Sequence, residues 1–363
     1  MSGATDDRVA RLRLIRSANV GPVTYFQLLS RFGSAGAALR AIPDLATRGG
    51  GRAPRIAPAS AVEAEMAAVD RLGARYLFLG EGLYPPLLAE LETAPPALIV
   101  KGDLSLLEKS PVAMVGARNA SAAACRFARL LAHDLGGEGI AVVSGLARGI
   151  DTAAHDGAME TGTIAVIAGG IDVFYPPENE ARQRAIAERG LLIAEQPPGV
   201  EPHARHFPYR NRIIAGLSLG TIVVEAAPRS GSLITARYAT EFGRDVMAVP
   251  GSPLDPRAQG CNQLIRDGAV LIQSARDVID TLRPFTLRSA AAPTEAFRVA
   301  PASLDASEVE RRRVTDLLGP TSVSVDEIIR QSGLSPAVVQ TVLLELDLGG
   351  RLERHAGGKV SLQ

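Results

Sequence analysis

Between Pro111 and Thr281, short apolar runs rich in β-branched residues alternate with longer stretches, and this rhythm limits the fold more than any other feature of the chain. The runs fall at Val112–Val115, Ile140–Val143, Ile164–Ala168, Leu191–Ala194, Thr221–Val224, Val246–Val249 and Val270–Ile272. Segments of helical periodicity, such as Ala122–Leu135 and Glu178–Arg189, separate most of them. Strands joined by crossover helices pair in parallel, so residues 73–283 are expected to form an α/β domain with a Rossmann-like, doubly wound, mostly parallel sheet. Hydrophobic residues make up 46% of the 363, yet aromatics are only 4% and Trp is absent. An aliphatic, alanine-rich core of this kind suits strands buried on both faces.

Two smaller domains are expected to flank the sheet. Residues 1–72 read as short amphipathic helices. There Ala18-Asn19-Val20-Gly21-Pro22, then Tyr25-Phe26-Gln27-Leu28-Leu29 and Phe32-Gly33, resemble a helix-hairpin-helix or SAM-like unit, an ordinary small helical bundle being the plainer reading. A Gly/Pro-rich loop (Thr47 to Pro54), a helix at Ser60–Leu72 and a strand at Tyr76–Leu79 follow. Residues 284–306, with Pro284, Pro293 and Pro301, read as a linker. Residues 307–363 have the order of a winged helix: helix, helix (Val325–Gln331), turn at Gly333, helix (Ser335–Leu348, capped by Ser335) and a strand pair around Gly357-Gly358. Its recognition helix offers Gln340, Thr341, Glu345 and Asp347 and no Lys or Arg. Phosphate neutralisation dominates duplex affinity, so partner binding or dimer support is the expected role instead of groove reading.

Ligands of a doubly wound sheet sit beyond the carboxyl ends of its strands, which makes the residues after each run the candidate site. The first run ends Val115-Gly116-Ala117-Arg118-Asn119. A dinucleotide site would show G-x-G-x-x-G here and an acid at the end of the second strand. This chain has one glycine followed by an arginine, Ser144-Gly145 at the second end, and no P-loop pattern. The loop still suits a phosphate: Gly116 permits close approach, a helix start offers N–H groups, and Arg118 supplies charge. In Ser144-Gly145-Leu146-Ala147-Arg148-Gly149-Ile150-Asp151, two glycines flank a cation; Arg148 is expected on a phosphate and Asp151 as a helix cap. The segment His203-Ala204-Arg205-His206-Phe207-Pro208-Tyr209-Arg210-Asn211-Arg212 contains no acid and interleaves aromatics with cations. That is the composition of a platform for single-stranded nucleic acid, with a solvated basic face as the plain alternative. Ser230-Gly231-Ser232 opens a further helix as an anion nest, and Pro250-Gly251-Ser252 is another small-residue loop.

Catalytic machinery is not legible. His155 beside Asp156, or Ser232 with a distant His, lacks the nucleophile elbow or metal-ligand cluster a hydrolase would show. Neither metal nor cofactor is expected. Lys+Arg and Asp+Glu balance at 39 each, so any polyanion site must be a local patch. Cys125 and Cys261 lie in unrelated segments, as in a reduced compartment. With no apolar run near the roughly 20 residues of a bilayer span and no signal-peptide core beside Asp6, Asp7 and Arg8, a soluble, cytoplasmic protein is expected.

The loops at residues 115–118, 144–151, 207–212, 230–236 and 249–251 resemble those of the DNA-processing protein A (DprA, or Smf) family, in the family's order. Where that family usually has Gly-Ser-Arg this chain has Gly116-Ala117-Arg118, which removes a hydroxyl and keeps the cation. The resemblance implies a non-catalytic binder of single-stranded DNA in natural transformation. Such a protein shields the incoming strand and helps load the RecA recombinase, with single-strand binding protein as a further candidate partner. It also implies a homodimer through the Rossmann-like domain. Arg118 and Arg148 would meet phosphates, and Phe207 would stack on or separate a base, flanked by Arg205, His206, Arg210 and Arg212. Gly116, Ser144, Gly145, Gly149, Asn211, Ser230, Gly231 and Ser232 complete the implied binding set. Two rival readings fit the same residues less well. A nucleotide-processing Rossmann-like hydrolase would carry P-G-G-x-G-T-x-x-E, but Thr235 stands near the place of its glutamate. A duplex-DNA regulator would read through the winged helix.

Overall fold

The computed structural model describes residues 2–289, 305–355 and 357–363. The chain forms two compact units, one of Met1–Met66 with Glu295–Gln363 and one of Ala67–Thr294. Its first helices are α1 (Ser2–Arg16), α2 (Pro22–Phe32), α3 (Ala35–Arg48) and α4 (Ala59–Arg71).

The larger unit is built on the strands β1 (Arg75–Phe78), β2 (Ala97–Gly102), β3 (Ser110–Gly116), β4 (Ile140–Ser144), β5 (Thr163–Ile167), β6 (Leu191–Ala194), β7 (Gly220–Val224), β8 (Asp245–Ala248) and β9 (Val270–Leu271). They form one sheet in the order β1-β2-β6-β5-β4-β3-β7-β8-β9. Pairing is parallel from β6 to β9, while β2 runs antiparallel to both β1 and β6. The helices are α5 (Pro86–Ala89), α6 (Ala122–Gly137), α7 (Ile150–Ala158), α8 (Glu180–Arg189), α9 (His206–Leu217), α10 (Ser232–Glu241), α11 (Gln259–Arg266) and α12 (Ala275–Ser289). Alternation along β3 shows why both faces need cover. Val112 and Met114 pack with Ala128, Leu131 and Ala154 of α6 and α7, whereas Ala113 and Val115 share a core with Ile213, Ile214 and Ala236 of α9 and α10. Strand order reverses between β3 and β7, the switch point of a doubly wound sheet.

The rhythm of the sequence thus yields the expected sheet, with one strand unforeseen. In β2, Ala97-Leu98-Ile99-Val100 is fully buried, but a lone four-residue apolar run after Pro95-Pro96 carries no helical neighbour to mark it as a strand. The expected linker also starts later than 284, because α12 continues to Ser289. Residues 290–304 of that segment, with Pro293 and Pro301, lie outside the described residues. At its far end Asp305 accepts hydrogen bonds from Arg31 (3.0 Å) and Arg48 (2.7 Å), and Ala306 is buried.

In the smaller unit, α13 (Glu308–Thr315), β10 (Val323–Ser324), α14 (Val325–Ser332), α15 (Pro336–Leu348), β11 (Leu352–His355) and β12 (Lys359–Leu362) form the winged helix, its sheet ordered β10-β12-β11. Ser335 caps α15, its Oγ accepting from Val338 N–H at 3.4 Å. Helix α15 is buried on two sides. Val338, Val342, Leu343 and Leu346 lie in the winged-helix core, and Leu344 and Leu348 join Leu14, Tyr25, Leu28 and Ile42 of the N-terminal helices. Thr24 Oγ1 donates to Asp347 (2.6 Å), Gln27 to Gln340 (2.7 Å), and Asn19 to the carbonyl of Leu348 (3.1 Å). A Cβ at Gly49 would lie 2.0 Å from the Glu345 carbonyl oxygen, so the glycine lets the loop touch the helix backbone. Two segments at opposite ends of the sequence therefore share one core, and the side chains a reading helix would present to DNA are engaged within the protein. No described helix is long and apolar enough to cross a membrane.

Candidate nucleic-acid interface

The loops after β3, β4 and β5 meet the start of α9 around a cavity of about 320 Å³. Arg118, Gly145, Arg148, Phe207 and Arg210, all expected from the sequence, line it together with Tyr175. Arg118 lies over the Phe207 ring, its guanidinium carbon 5.2 Å from the centroid. The Tyr175 ring stands 5.6 Å from that of Phe207, tilted by 55°. Arg118 and Tyr175 are exposed and Phe207 is half-buried. One cavity therefore presents a cation held on an aromatic face and two rings of the kind on which bases stack.

The loop after β4 is braced from beneath. The N–H groups of Gly145 and Ala147 donate to Asp151 Oδ2 (3.2 Å each), and that of Leu146 to His155 Nε2 (3.3 Å). Asn179 donates to the Leu146 carbonyl (2.9 Å) and Ser144 Oγ to that of Met114 (2.6 Å), with Leu146 held at φ 55°. The N–H groups of this loop thus turn inward, because carboxylate and imidazole groups of α7 lie below them. Asp151 is not the helix cap. Gly149, at φ 73°, takes the N-cap position, and Asp151 reaches back from the first turn. Burial raises the Asp151 pKa, with Arg210 and the loop N–H groups pulling the other way. His155 is fully buried; with Nε2 accepting, Nδ1 carries the proton toward Thr163 Oγ1 at 2.7 Å. Burial holds this imidazole neutral, with its pKa pushed down to about 3. What the loop turns outward is Arg148, exposed and ion-paired with Glu178. An incoming phosphate has to compete with that glutamate.

The loop after β3 follows the same rule. Gly116 serves packing, since a Cβ there would lie 1.9 Å from the Val224 carbonyl oxygen. The start of α6 is satisfied internally: Ser121 Oγ accepts from Ala124 N–H (3.0 Å), while the Glu225 carboxylate accepts from Ser121 N–H (2.8 Å) and Oγ (2.6 Å). A carboxylate already sits where the sequence placed a phosphate on a helix start, and Arg118 is left as that loop's contribution.

The basic segment 203–212 proves to be mostly helix, and its winding sorts the side chains. Arg205 is exposed at the N-cap of α9, and Tyr209 is exposed one turn on. His206, Asn211 and Arg212 are buried. Arg212 pairs with Glu195 at 2.6 Å and donates to the Thr93 carbonyl. Asn211 donates to the Gly231 carbonyl (3.3 Å), and His206 Nδ1 accepts from His203 N–H (3.3 Å). These three support the site from within instead of facing a strand, as the sequence had suggested, because α9 continues into Ile213-Ile214-Ala215-Gly216-Leu217 and is packed all round. Arg210 differs. It is buried, lies 4.0 Å from Asp151, and its Nε has no hydrogen-bond partner. Its guanidinium fills the space beside Gly145, where a Cβ would lie 1.3 Å from Nη1. Burial lowers its pKa to about 10, leaving it charged at neutral pH. A buried, incompletely partnered cation lining a cavity is electrostatically prepared for an anion.

Arg205 and the Ser230-Gly231-Ser232 loop lie outside the cavity lining. Ser230 and Ser232 bond to each other (2.7 Å) and Gly231 is the N-cap of α10. Thr235, where the hydrolase reading needs a glutamate, is buried in α10. The residue missed from the sequence is Tyr175. Its signal in the sequence is the end of β5, Ala168-Gly169-Gly170, a small-residue strand end like those after β3 and β4.

Three family models match the chain. Residues 75–283 match the family described as DNA recombination-mediator protein A, residues 5–68 the DprA-like N-terminal HHH domain, and residues 298–358 the DprA winged helix domain. The chain is 50% identical over 198 residues to DNA processing protein DprA of Streptococcus pneumoniae, covering 54% of this chain and 70% of that protein. It is 35% identical to protein Smf of Escherichia coli over 309 residues, 84% of this chain and 82% of that one. Among solved structures, that of Helicobacter pylori DNA processing protein A, described for its single-stranded DNA binding mode, aligns with a TM-score of 0.53 at 29% identity, covering 58% of this chain and 97% of that one. The chain belongs to the DprA/Smf family of DNA-processing proteins.

Proposed function

We propose that this protein binds single-stranded DNA in the cavity between the β3, β4 and β5 loops and α9, without catalysing a reaction on it. Arg118 stacked on Phe207 is the observation that carries this reading, since it joins a phosphate-binding cation to a base-stacking surface. Arg148 and Arg210 supply further charge, Tyr175 a second ring, and the braced β4 loop a rigid wall. The single-stranded DNA binding described for the Helicobacter pylori relative supports single-stranded DNA as the ligand. In natural transformation the protein would act in the cytoplasm. It would shield the incoming strand and pass it to RecA, with single-strand binding protein as a further partner. It would act as a homodimer through the Rossmann-like unit, whose edge strand β9 leaves Val270 and Leu271 exposed.

The test separates stacking from charge. Phe207→Ala lowers affinity for a single-stranded oligonucleotide by about tenfold or more, within the roughly 1–3 kcal/mol of a stacked base, and leaves the salt dependence unchanged. Arg118→Ala weakens binding and flattens it. Full affinity in both variants would remove the cavity from the binding path.

A further inference from the structure

At the switch point β3 and β7 run side by side, with Gly116 opposite Val224. Doubly wound sheets offer their ligand crevice there. In this chain the residue that follows β7 is Glu225, with φ at 48° in the left-handed region. A glutamate stays in that conformation only where its surroundings over-determine it. Here the bend aims the carboxylate at one residue: Ser121 donates to it through both N–H (2.8 Å) and Oγ (2.6 Å), and Ser121 Oγ in turn receives Ala124 N–H at 3.0 Å. The span from Ala117 to Ala120 is therefore held at both ends, by β7 beside Gly116 and by Glu225 at Ser121. Ile150 N–H fixes its start through the Ala117 carbonyl at 3.2 Å. That short span carries Arg118, the cation lying over Phe207.

We propose that Glu225 is a positioning residue for strand binding: through Ser121 it fixes the loop that holds Arg118 over Phe207. The proposal rests on the cavity being the strand site. A helix cap without this role would affect stability and leave the Arg118–phosphate contact as it is, so the two are separable by coupling and by salt dependence.

The experiment uses the full chain and a fluorescent pyrimidine oligonucleotide, titrated across a range of salt. Its variants are Arg118→Ala, Glu225→Ala, their combination, Glu225→Gln and Ser121→Ala. Glu225→Ala is expected to weaken binding about tenfold and to flatten the salt slope by roughly the 0.7 that one single-strand phosphate contributes. In the Arg118→Ala background the same change costs less than about twofold, because the contact it positions is already gone. Glu225→Gln, which still offers Ser121 an acceptor and a donor, stays within about threefold of the unmodified protein. The proposal is overturned if Glu225→Ala folds and binds normally, or if its effect multiplies in full with that of Arg118→Ala at an unchanged slope. Should Glu225→Ala fail to fold, Ser121→Ala is read in its place and must show the same coupling, additivity again being fatal. Arg118→Ala alone leaving affinity intact would overturn the cavity assignment, and this proposal with it, before Glu225 is touched.

Discussion

Among single residues, sequence and structure divide over which arginines face outward. Arg118 and Arg148 follow strand ends and are exposed. Arg210 and Arg212 sit in the same basic run yet are buried, and a run of cations reads alike whether solvated or internal. The clue was the uninterrupted apolar stretch from Ile213, which requires a helix buried on every side. Replacing Arg212 by Ala removes a mostly buried ion pair with Glu195 and the hydrogen bond to the Thr93 carbonyl and should destabilise the protein by about 3 kcal/mol, read as a lower urea midpoint, while the folded fraction keeps its oligonucleotide affinity. His155 gives a pH signature. Its folded pKa of about 3 lies below the ordinary imidazole value of 6.5, so the unfolded chain binds a proton that the native state refuses. Stability from this residue is complete above pH 6.5 and falls as pH drops below it. Asp151, with a raised pKa, shifts stability in the opposite sense. Measured against His155→Asn, the advantage of the unmodified protein should shrink from pH 6.5 toward 4 by on the order of 1.4 kcal/mol per unit. A difference independent of pH would mean that the buried imidazole is not neutral.

At the scale of elements, the sheet is legible because seven short apolar runs recur at similar intervals, whereas β2 and the course of α9 depend on tertiary neighbours. The winged helix was legible too, but not its union with the N-terminal helices. Nothing local marks Leu344 and Leu348 as belonging to a different core from Leu343 and Leu346. The glycines at 49–51 read only as a loop, although Gly49 is small because the backbone of α15 lies against it. Gly49→Ala should therefore cost about 1–3 kcal/mol and raise amide exchange in α1–α3 and α15 together, with little change in β3–β7. Loosening confined to the loop itself would contradict the shared core. The same burial leaves α15 without a free face for a major groove, so duplex binding should not depend on Gln340 or Asp347.

Over the whole molecule, acidic and basic residues balance at 39 each, so no broad field draws in nucleic acid and affinity has to come from one local constellation. This makes the strand's electrostatic footprint small. Two or three phosphates meeting Arg118, Arg148 and Arg210 predict a salt slope between about −1.4 and −2.1 for a single strand, with the remaining affinity in stacking on Phe207 and Tyr175. A salt titration of the full chain against matched single- and double-stranded oligonucleotides measures this directly. The prediction is tight, single-strand-selective binding with that shallow slope. Duplex bound as tightly as single strand, or a steep slope that implies many phosphates, would contradict it.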